Sequence, residues 1–306
     1  MRSDKGNADT VKMPLVKVLS QPLGPDTGSA RVQVDIAAQT HQGLVRSANE
    51  DHYLVMRLER ALETLLTSLP THQVPARAEE VAYGLLVADG VGGAAAGEMA
   101  SRLALTTLVG LILHTPDWIL SDQPQEVERV IERLANHYRR IHEALRDRGL
   151  ADPNLAGMGT TMTLIGSLGA SAIIGHIGDS RAYLLRGGEL HQLTRDHTLV
   201  QVLVDLGELT AEEAATDPRR HLLMRSFSAA DENCQGDFQQ ATLNDGDQLL
   251  LCTDGLTNMV DDAAIAALLD GATTSKEACQ ALVAAALDKG GKDNVTVALA
   301  RYRFPQ

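Results

Sequence analysis

The stretch "LLVADGVGG" (85–93) runs strongly apolar residues into Asp89, which has no basic neighbour, and then gives the backbone over to glycine. The arrangement recurs at Asp179 in "IIGHIGD" (173–179) and at Asp254 in "LLLCTDG" (249–255). Asp293 stands just before an apolar run in "KDNVTVALA" (292–300), as do Glu50 and Asp51 in "NEDHYLVM" (49–56). One such aspartate reads as a turn residue, since Asp-Gly is a common turn pair; Asp245-Gly246 is read that way and given no role. Several together read as a site. Carboxylates sharing a small volume raise one another's pKa and cost stability unless cations neutralise them. Their oxygens are hard ligands, which suits Mg²⁺ or Mn²⁺ better than zinc. Gly90, without a Cβ, would let its carbonyl approach such an ion.

A rival chemistry lies in the same residues. Gly90, Gly92 and Ala95 match the dinucleotide fingerprint G-x-G-x-x-A between a strand and a helix. Asp89 would then face a pyrophosphate with the wrong sign, and no acid follows between Met99 and His114 to hold a ribose. There is no G-x-S-x-G elbow, no H-E-x-x-H and no Walker loop. The ten histidines show no ligand spacing.

The 306 residues allow one large domain or two small ones. A net charge of −13 argues against nucleic acid or anionic membrane as the main partner, and 3% aromatic content leaves little for base stacking. Cys234, Cys252 and Cys279 form no CxxC pair, the N-terminus has no signal-peptide core, and no run reaches the length of a membrane span. These features predict a cytoplasmic protein.

The elements that must position the acids follow from periodicity. Residues 1–30, with Pro14, Pro22 and Pro25, predict a flexible lead-in. "RVQVDIAA" (31–38) alternates as a half-buried strand, and "HYLVMRL" (52–58) is a second. Residues 59–80 predict a short amphipathic helix and a proline-containing loop. Residues 95–113 predict a buried helix, and 124–149 an amphipathic one with Val127, Val130, Ile131, Leu134, Tyr138, Ile141 and Leu145 on one face. A strand series follows, with Gly187-Gly188 as a hairpin turn. Residues 196–218 predict a helical stretch containing a Thr210/Glu213 capping box. Three more strands are separated by helices at 261–270 and 275–289. Strand series with paired helices predict an α+β fold of two antiparallel sheets packed face to face, with helices outside.

The ordered set "VRSANED" (45–51), "VADGVGG" (87–93), "GMGTTMT" (157–163), "GHIGDSRAYLLR" (175–186), "LTRDHT" (193–198), "LLLCTDGLTN" (249–258) and "KDNVTVALA" (292–300) resembles the motifs of metal-dependent type 2C Ser/Thr protein phosphatases. The resemblance covers residues 31–304 and is nearest to compact bacterial members. It implies a four-layer α-β-β-α sandwich and a dinuclear Mn²⁺ or Mg²⁺ centre whose hydroxide hydrolyses phosphoserine and phosphothreonine. By motif position Asp89 would bridge both ions, the Gly90 carbonyl would bind one, and Asp254 and Asp293 would complete the other. Glu50 and Asp51 would hold metal-bound waters, Asp51 orienting the nucleophile. Asp179 would take a third, weaker ion, and Arg46 would grip the phosphate. The implied partners are phosphoproteins, substrates of a Ser/Thr kinase.

Alternatives stay open at individual residues. Asp179 and Arg181 would also suit a structural salt bridge, and Asn294 a turn cap. Gly159, Thr160 and Thr161 suit packing at the sheet core. Val91 and Ala94 stand where some relatives carry histidine, so better activity on aryl than on alkyl phosphates is expected. Residues 59–80, longer than the link expected there, read as an insertion that is either a partner-docking element or a surface elaboration, the latter favoured, and 197–228 match a mobile flap whose Arg219, Arg220 and Arg225 either attract a phosphopeptide or pair with Glu212, Glu213 and Asp217. A catalytically silent relative would have lost a metal aspartate, and a calcium-stabilised structural domain would not need Arg46.

Overall fold

The computed structural model describes residues 32–70, 73–114, 124–231 and 234–305; the predicted lead-in at 1–30 lies outside them. The described residues fall into two compact units, one holding Ala61–Glu79 and the other the rest. In chain order the elements are β1 (Gln33–His41), β2 (His52–Glu63), β3 (Arg77–Ala88), β4 (Gly90–Val91), α1 (Ala94–Leu113) and α2 (Pro124–Ala151). Then come β5 (Gly159–Thr160), β6 (Met162–Leu168), β7 (Ser171–Ile177), β8 (Arg181–Arg186), β9 (Glu189–Gln192), α3 (Leu199–Asp205), α4 (Ala211–Thr216) and β10 (Phe227–Ser228). The chain continues with β11 (Asp237–Thr242), β12 (Gln248–Cys252), α5 (Asp254–Thr257), α6 (Asp262–Gly271), α7 (Ser275–Asp288) and β13 (Val295–Arg303).

Two five-stranded sheets carry the larger unit, in the orders β1-β13-β12-β8-β9 and β11-β7-β6-β3-β2. Strand alternation decides which layer each side chain enters. Leu85, Val87, Ile165, Leu249, Leu251, Ala298 and Ala300 fill the space between the sheets. The neighbours one residue on turn outward: Leu86, Ala88 and Leu164 pack under α1 and α2, and Leu250, Cys252, Val297 and Leu299 under α6 and α7. The result is the expected four-layer α-β-β-α sandwich. Gly187 and Gly188 turn β8 into β9 with φ of 58° and 84°, values only glycine takes without strain.

Two helix expectations need correction. Residues 59–63 continue β2 rather than starting a helix, and β3 begins at Arg77. Leu62, Leu65, Leu66 and Leu69 are all exposed, so no buried face holds the expected short helix together. The stretch 196–218 splits into α3 and α4 at Gly207, whose φ is 73°. The predicted capping box of Thr210 and Glu213 then starts α4. A third point concerns α1, which is long and apolar enough to cross a membrane, contrary to the sequence reading. Its Ala96, Ala100, Ala104, Leu105 and Leu108 are instead buried in the core formed with α2 and the sheet.

Candidate active site

The acids stand at the ends of buried strands. Asp89 lies between β3 and β4, and its backbone is clamped by two threonines. Its carbonyl accepts from Thr161 N at 2.9 Å and Thr160 Oγ1 at 2.8 Å, while its N–H donates to Thr161 Oγ1 at 3.2 Å. The pair Thr160-Thr161, read from sequence as core packing, therefore fixes the backbone of Asp89. Asp254 opens α5 directly after β12, and its Oδ2 accepts from Asn258 Nδ2 at 2.9 Å. Asp293 leads into β13, with Oδ1 accepting the Asn294 N–H at 2.9 Å and Oδ2 accepting Arg46 Nη2 at 2.6 Å. Asp179 follows β7 after Gly178, whose φ is 113°.

Asp51 precedes β2 and is buried. Its Oδ2 accepts the Thr253 hydroxyl at 2.8 Å, while its Oδ1 is buried with no hydrogen-bond partner. Glu50 is held through its backbone: Asn294 Oδ1 accepts its N–H at 2.8 Å, and its carbonyl accepts Ser101 Oγ at 2.6 Å.

The electrostatics follow from this crowding. Burial pushes the Asp51 carboxyl up to about 7; Thr296 and Thr253 oppose the rise, and Asp254 and Asp293 add to it. Asp89 is driven well above the carboxylate range by burial and then by Asp51, Asp254, Asp179 and Asp293. Asp179 is raised by burial, Asp254 and Asp196. Burial raises Glu50 too, with Arg46 opposing it. Among the described residues the cluster has no lysine partner; Arg46 on Asp293 and the imidazole of His221, 3.7 Å from Asp254 Oδ2, are its basic contacts.

So the fold brings Asp51, Asp89, Asp179, Asp254 and Asp293 into one electrostatic neighbourhood, with Arg46 and Glu50 at its border. Among the described residues no three His, Cys, Asp or Glu side chains converge tightly enough to ligate an ion as they stand. An orphaned buried oxygen, raised carboxyl pKa values and all-oxygen donors fit Mg²⁺ or Mn²⁺.

Several residues have functions that sequence reading did not assign. Asn294 caps no turn alone: besides Glu50 N–H it donates Nδ2 to the carbonyls of Gln42 and Ala48, at 2.8 and 2.9 Å, tying down the loop that carries Arg46 and Glu50. Gly97 on α1 gives the other surprise. A Cβ there would collide with Glu50 Oε2, and one on Gly90 would collide with the Gly97 carbonyl. The "GE" after the glycine-rich turn was the available signal for this close helix approach; nothing in the sequence points to His221. Arg181 does not pair with Asp179 but forks onto Asp196, Nε to Oδ1 at 2.9 Å and Nη2 to Oδ2 at 2.7 Å. In 197–228, Arg219 pairs with Asp217 and Arg225 with Asp237, while Arg220 makes no ion pair among the described residues.

Residues 73–289 match the sequence model of the family described as Protein phosphatase 2C. Protein phosphatase PhpP of Streptococcus pneumoniae is 39% identical over 215 residues, 70% of this chain and 84% of that protein. Serine/threonine protein phosphatase PstP of Mycobacterium tuberculosis is 37% identical over 265 residues, 86% of this chain and 44% of that protein. The solved catalytic domain of PstP, in complex with two manganese ions, superposes with a TM-score of 0.70 at 34% identity, covering 89% of this chain and all of that one. With its ordered motifs, its layered sheets and these relatives, the chain belongs to the protein phosphatase 2C family of serine/threonine protein phosphatases.

Proposed function

We infer that this protein removes phosphate from phosphoserine and phosphothreonine in phosphoproteins by direct attack of water on phosphorus. The observation that carries this reading is the cluster of buried or half-buried acids Asp51, Asp89, Asp179, Asp254 and Asp293, in which burial and the neighbouring carboxylates raise Asp51, Asp89 and Asp179 and one oxygen of Asp51 has no partner. Two bound Mn²⁺ or Mg²⁺ ions would supply nucleophilic hydroxide at neutral pH and neutralise charge at phosphorus. Asp89, the Gly90 carbonyl, Asp254 and Asp293 would hold them, and Asp179 a third, weaker one. The manganese bound by the PstP catalytic domain supports this choice of ion.

The remaining roles fall to the chain's own groups. Asp51, anchored through one oxygen by Thr253, presents the other to orient the attacking water. Glu50 sits on a backbone fixed from both sides by Asn294 and Ser101, and holds a water at the border of the cluster. Arg46 is half exposed and already lies against an anion, the Asp293 carboxylate. Its planar fork suits two oxygens of a phosphoryl group, which a lysine ammonium cannot match. No phosphoenzyme is required. The acidic surface, the three free cysteines and the phosphatase relatives support a cytoplasmic enzyme opposing a Ser/Thr kinase.

The test is phosphate release from a phosphothreonine peptide and from p-nitrophenyl phosphate with Mn²⁺, with EDTA, and with Asp254→Asn. Both EDTA and the substitution are expected to lower the rate by about 10²-fold or more. Activity surviving both would rule the reading out.

A further inference from the structure

Asp179 follows β7, and among the described residues no other side chain hydrogen-bonds its carboxylate. Its direction is therefore set by the backbone of residues 178–180. On one side Thr163 Oγ1 donates to the Ser180 carbonyl at 2.9 Å, and Thr161 Oγ1 meets Ser180 Oγ at 2.8 Å. On the other side a single residue takes both polar groups of Gly178. The His197 N–H donates to the Gly178 carbonyl at 2.7 Å, and the His197 ring Nδ1 accepts the Gly178 N–H at 3.1 Å. A Cβ on Gly178 would lie 2.4 Å from Thr161, so this turn has no room to shift away from its partners.

His197 is buried and holds a second set of partners. Because Nδ1 accepts, the ring proton sits on Nε2, which donates to Asp237 Oδ2 at 3.0 Å. The other oxygen of Asp237 accepts Arg225 Nη1 at 2.8 Å. The His197 carbonyl accepts the Met224 N–H at 2.7 Å, and the Leu199 N–H donates to the Leu222 carbonyl at 2.8 Å. The segment 221–225, whose His221 lies 3.7 Å from Asp254, is thus tied to the same residue as the Asp179 turn. Burial lowers the pKa of His197 and outweighs the pull of Asp237, so Nδ1 stays unprotonated and able to accept. The His176 ring, 4.6 Å away, backs the imidazole.

We propose that His197 is a positioning residue for the site: its Nδ1 aims Asp179, its Nε2 seats the 221–225 segment, and one ring keeps the two in a fixed relation. Its effect on metal binding rests on the function proposed for Asp179, whereas its effect on local order rests on the hydrogen bonds alone. Two substitutions separate the two ring nitrogens. Asparagine carries Oδ1 on Cγ, as histidine carries Nδ1, so His197→Asn keeps an acceptor for Gly178 but falls short of Asp237. Glutamine places its NH₂ one bond further, as the ring places Nε2, so His197→Gln reaches Asp237 and leaves the Gly178 N–H unpaired.

The experiment is amide hydrogen exchange by NMR on the full chain, with and without Mn²⁺, joined to a Mn²⁺ titration read by electron paramagnetic resonance. In His197→Gln, exchange at Gly178 is expected to rise about tenfold or more, while Met224 stays within about twofold of wild type. In His197→Asn the pattern reverses. The weak third Mn²⁺ is expected to bind about tenfold more weakly to His197→Gln and at near wild-type affinity to His197→Asn, the two tight ions being unchanged in both. Equal effects of the two substitutions, a matching rise at Leu250 in the other sheet, or wild-type third-ion affinity in His197→Gln would overturn the proposal. Asp237 is half exposed, so Asp237→Ala keeps the test decisive even where the His197 variants fail to fold. It should raise exchange at Met224 by about fivefold or more, and no rise there would also overturn the proposal. The expected exchange pattern in a wild type that binds no third ion would uphold the role of His197 and remove only the metal reading of Asp179.

Discussion

Asn294 accepts the Glu50 N–H on its side-chain oxygen at 2.8 Å and spends its side-chain NH₂ on two carbonyls of the same loop. A residue on the strand side of the site thereby sets the path of the segment bearing Arg46, Glu50 and Asp51. Asn294→Ala removes the partner of the buried Glu50 N–H, at about 1–3 kcal/mol, and of two part-buried carbonyls, those of Gln42 and Ala48. The expected result is a loss of Mn²⁺ affinity and a fall in kcat/KM of about tenfold or more. Asn294→Asp is expected to do no better, because a carboxylate cannot donate to the Gln42 and Ala48 carbonyls. Near-wild-type metal affinity in Asn294→Asp, with the fold checked by circular dichroism, would contradict this.

Gly97 reverses the usual helix rule. Alanine is favoured over glycine in a helix interior by about 1 kcal/mol. Here a Cβ would strike Glu50 Oε2 and crowd the Gly90 backbone, which lies 2.9 Å from its ideal position. The clash wins, because Gly90 is backbone and cannot rotate away. Gly97→Ala is therefore expected to lower both the melting temperature and the activity, whereas Gly110→Ala on the same helix, where a Cβ meets nothing, is expected to be neutral or stabilising. Equal effects of the two substitutions would refute the close-approach account.

The pH dependence of stability should carry a mark of His176. Its pKa is lowered to about 3, first by burial and then by the charge of His197, with the Arg195 carbonyl and Asp237 opposing and Arg225 adding to the fall. Its Nδ1 meets the Thr163 hydroxyl at 2.9 Å, and its ring lies 4.6 Å from that of His197. The folded state thus binds fewer protons than the unfolded state between about pH 3 and 6.5, so stability falls as pH drops through that window. His176 alone contributes a loss of about 2 kcal/mol between pH 7 and 5. Urea unfolding of wild type and His176→Gln at both pH values is expected to show a shallower pH slope in the variant. Parallel slopes would mean that His176 is not held neutral.

His221 brings an imidazole to within 3.7 Å of Asp254, at a site where the sequence offered no proton donor. The alkoxide leaving a phosphoserine needs a proton and p-nitrophenolate does not. His221→Gln is expected to lower kcat on a phosphoserine peptide by about tenfold and on p-nitrophenyl phosphate by no more than about twofold. Equal losses on both substrates would leave His221 only a neighbour of Asp254.

Sheet layers were legible because the nearly unbroken apolar runs "LLVA", "LLLC" and "VTVALA" report strands buried on both faces. Strand-ending aspartates were legible for the same reason: an acid after a buried strand has little structural excuse. Residues 59–80 misled, because Ala61, Leu62, Leu65, Leu66 and Leu69 suggest a helical face that no partner covers. The supporting contacts were hidden too. Thr161 with Asp89, Asn294 with Glu50 and Gly97 with Gly90 join segments 7 to 244 residues apart, and periodicity carries no record of such pairings. His221 sits in a part of the chain with no regular pattern at all.

The most direct measurement is a count of Mn²⁺ bound per chain by electron paramagnetic resonance, in wild type and in Asp89→Asn. Wild type should bind two ions tightly and a third weakly. Asp89→Asn, deprived of the carboxylate proposed to serve both ions, should keep no more than one tight ion and lose phosphatase activity with the second. Two ions retained at wild-type affinity in Asp89→Asn, or none bound by the wild type, would contradict the account.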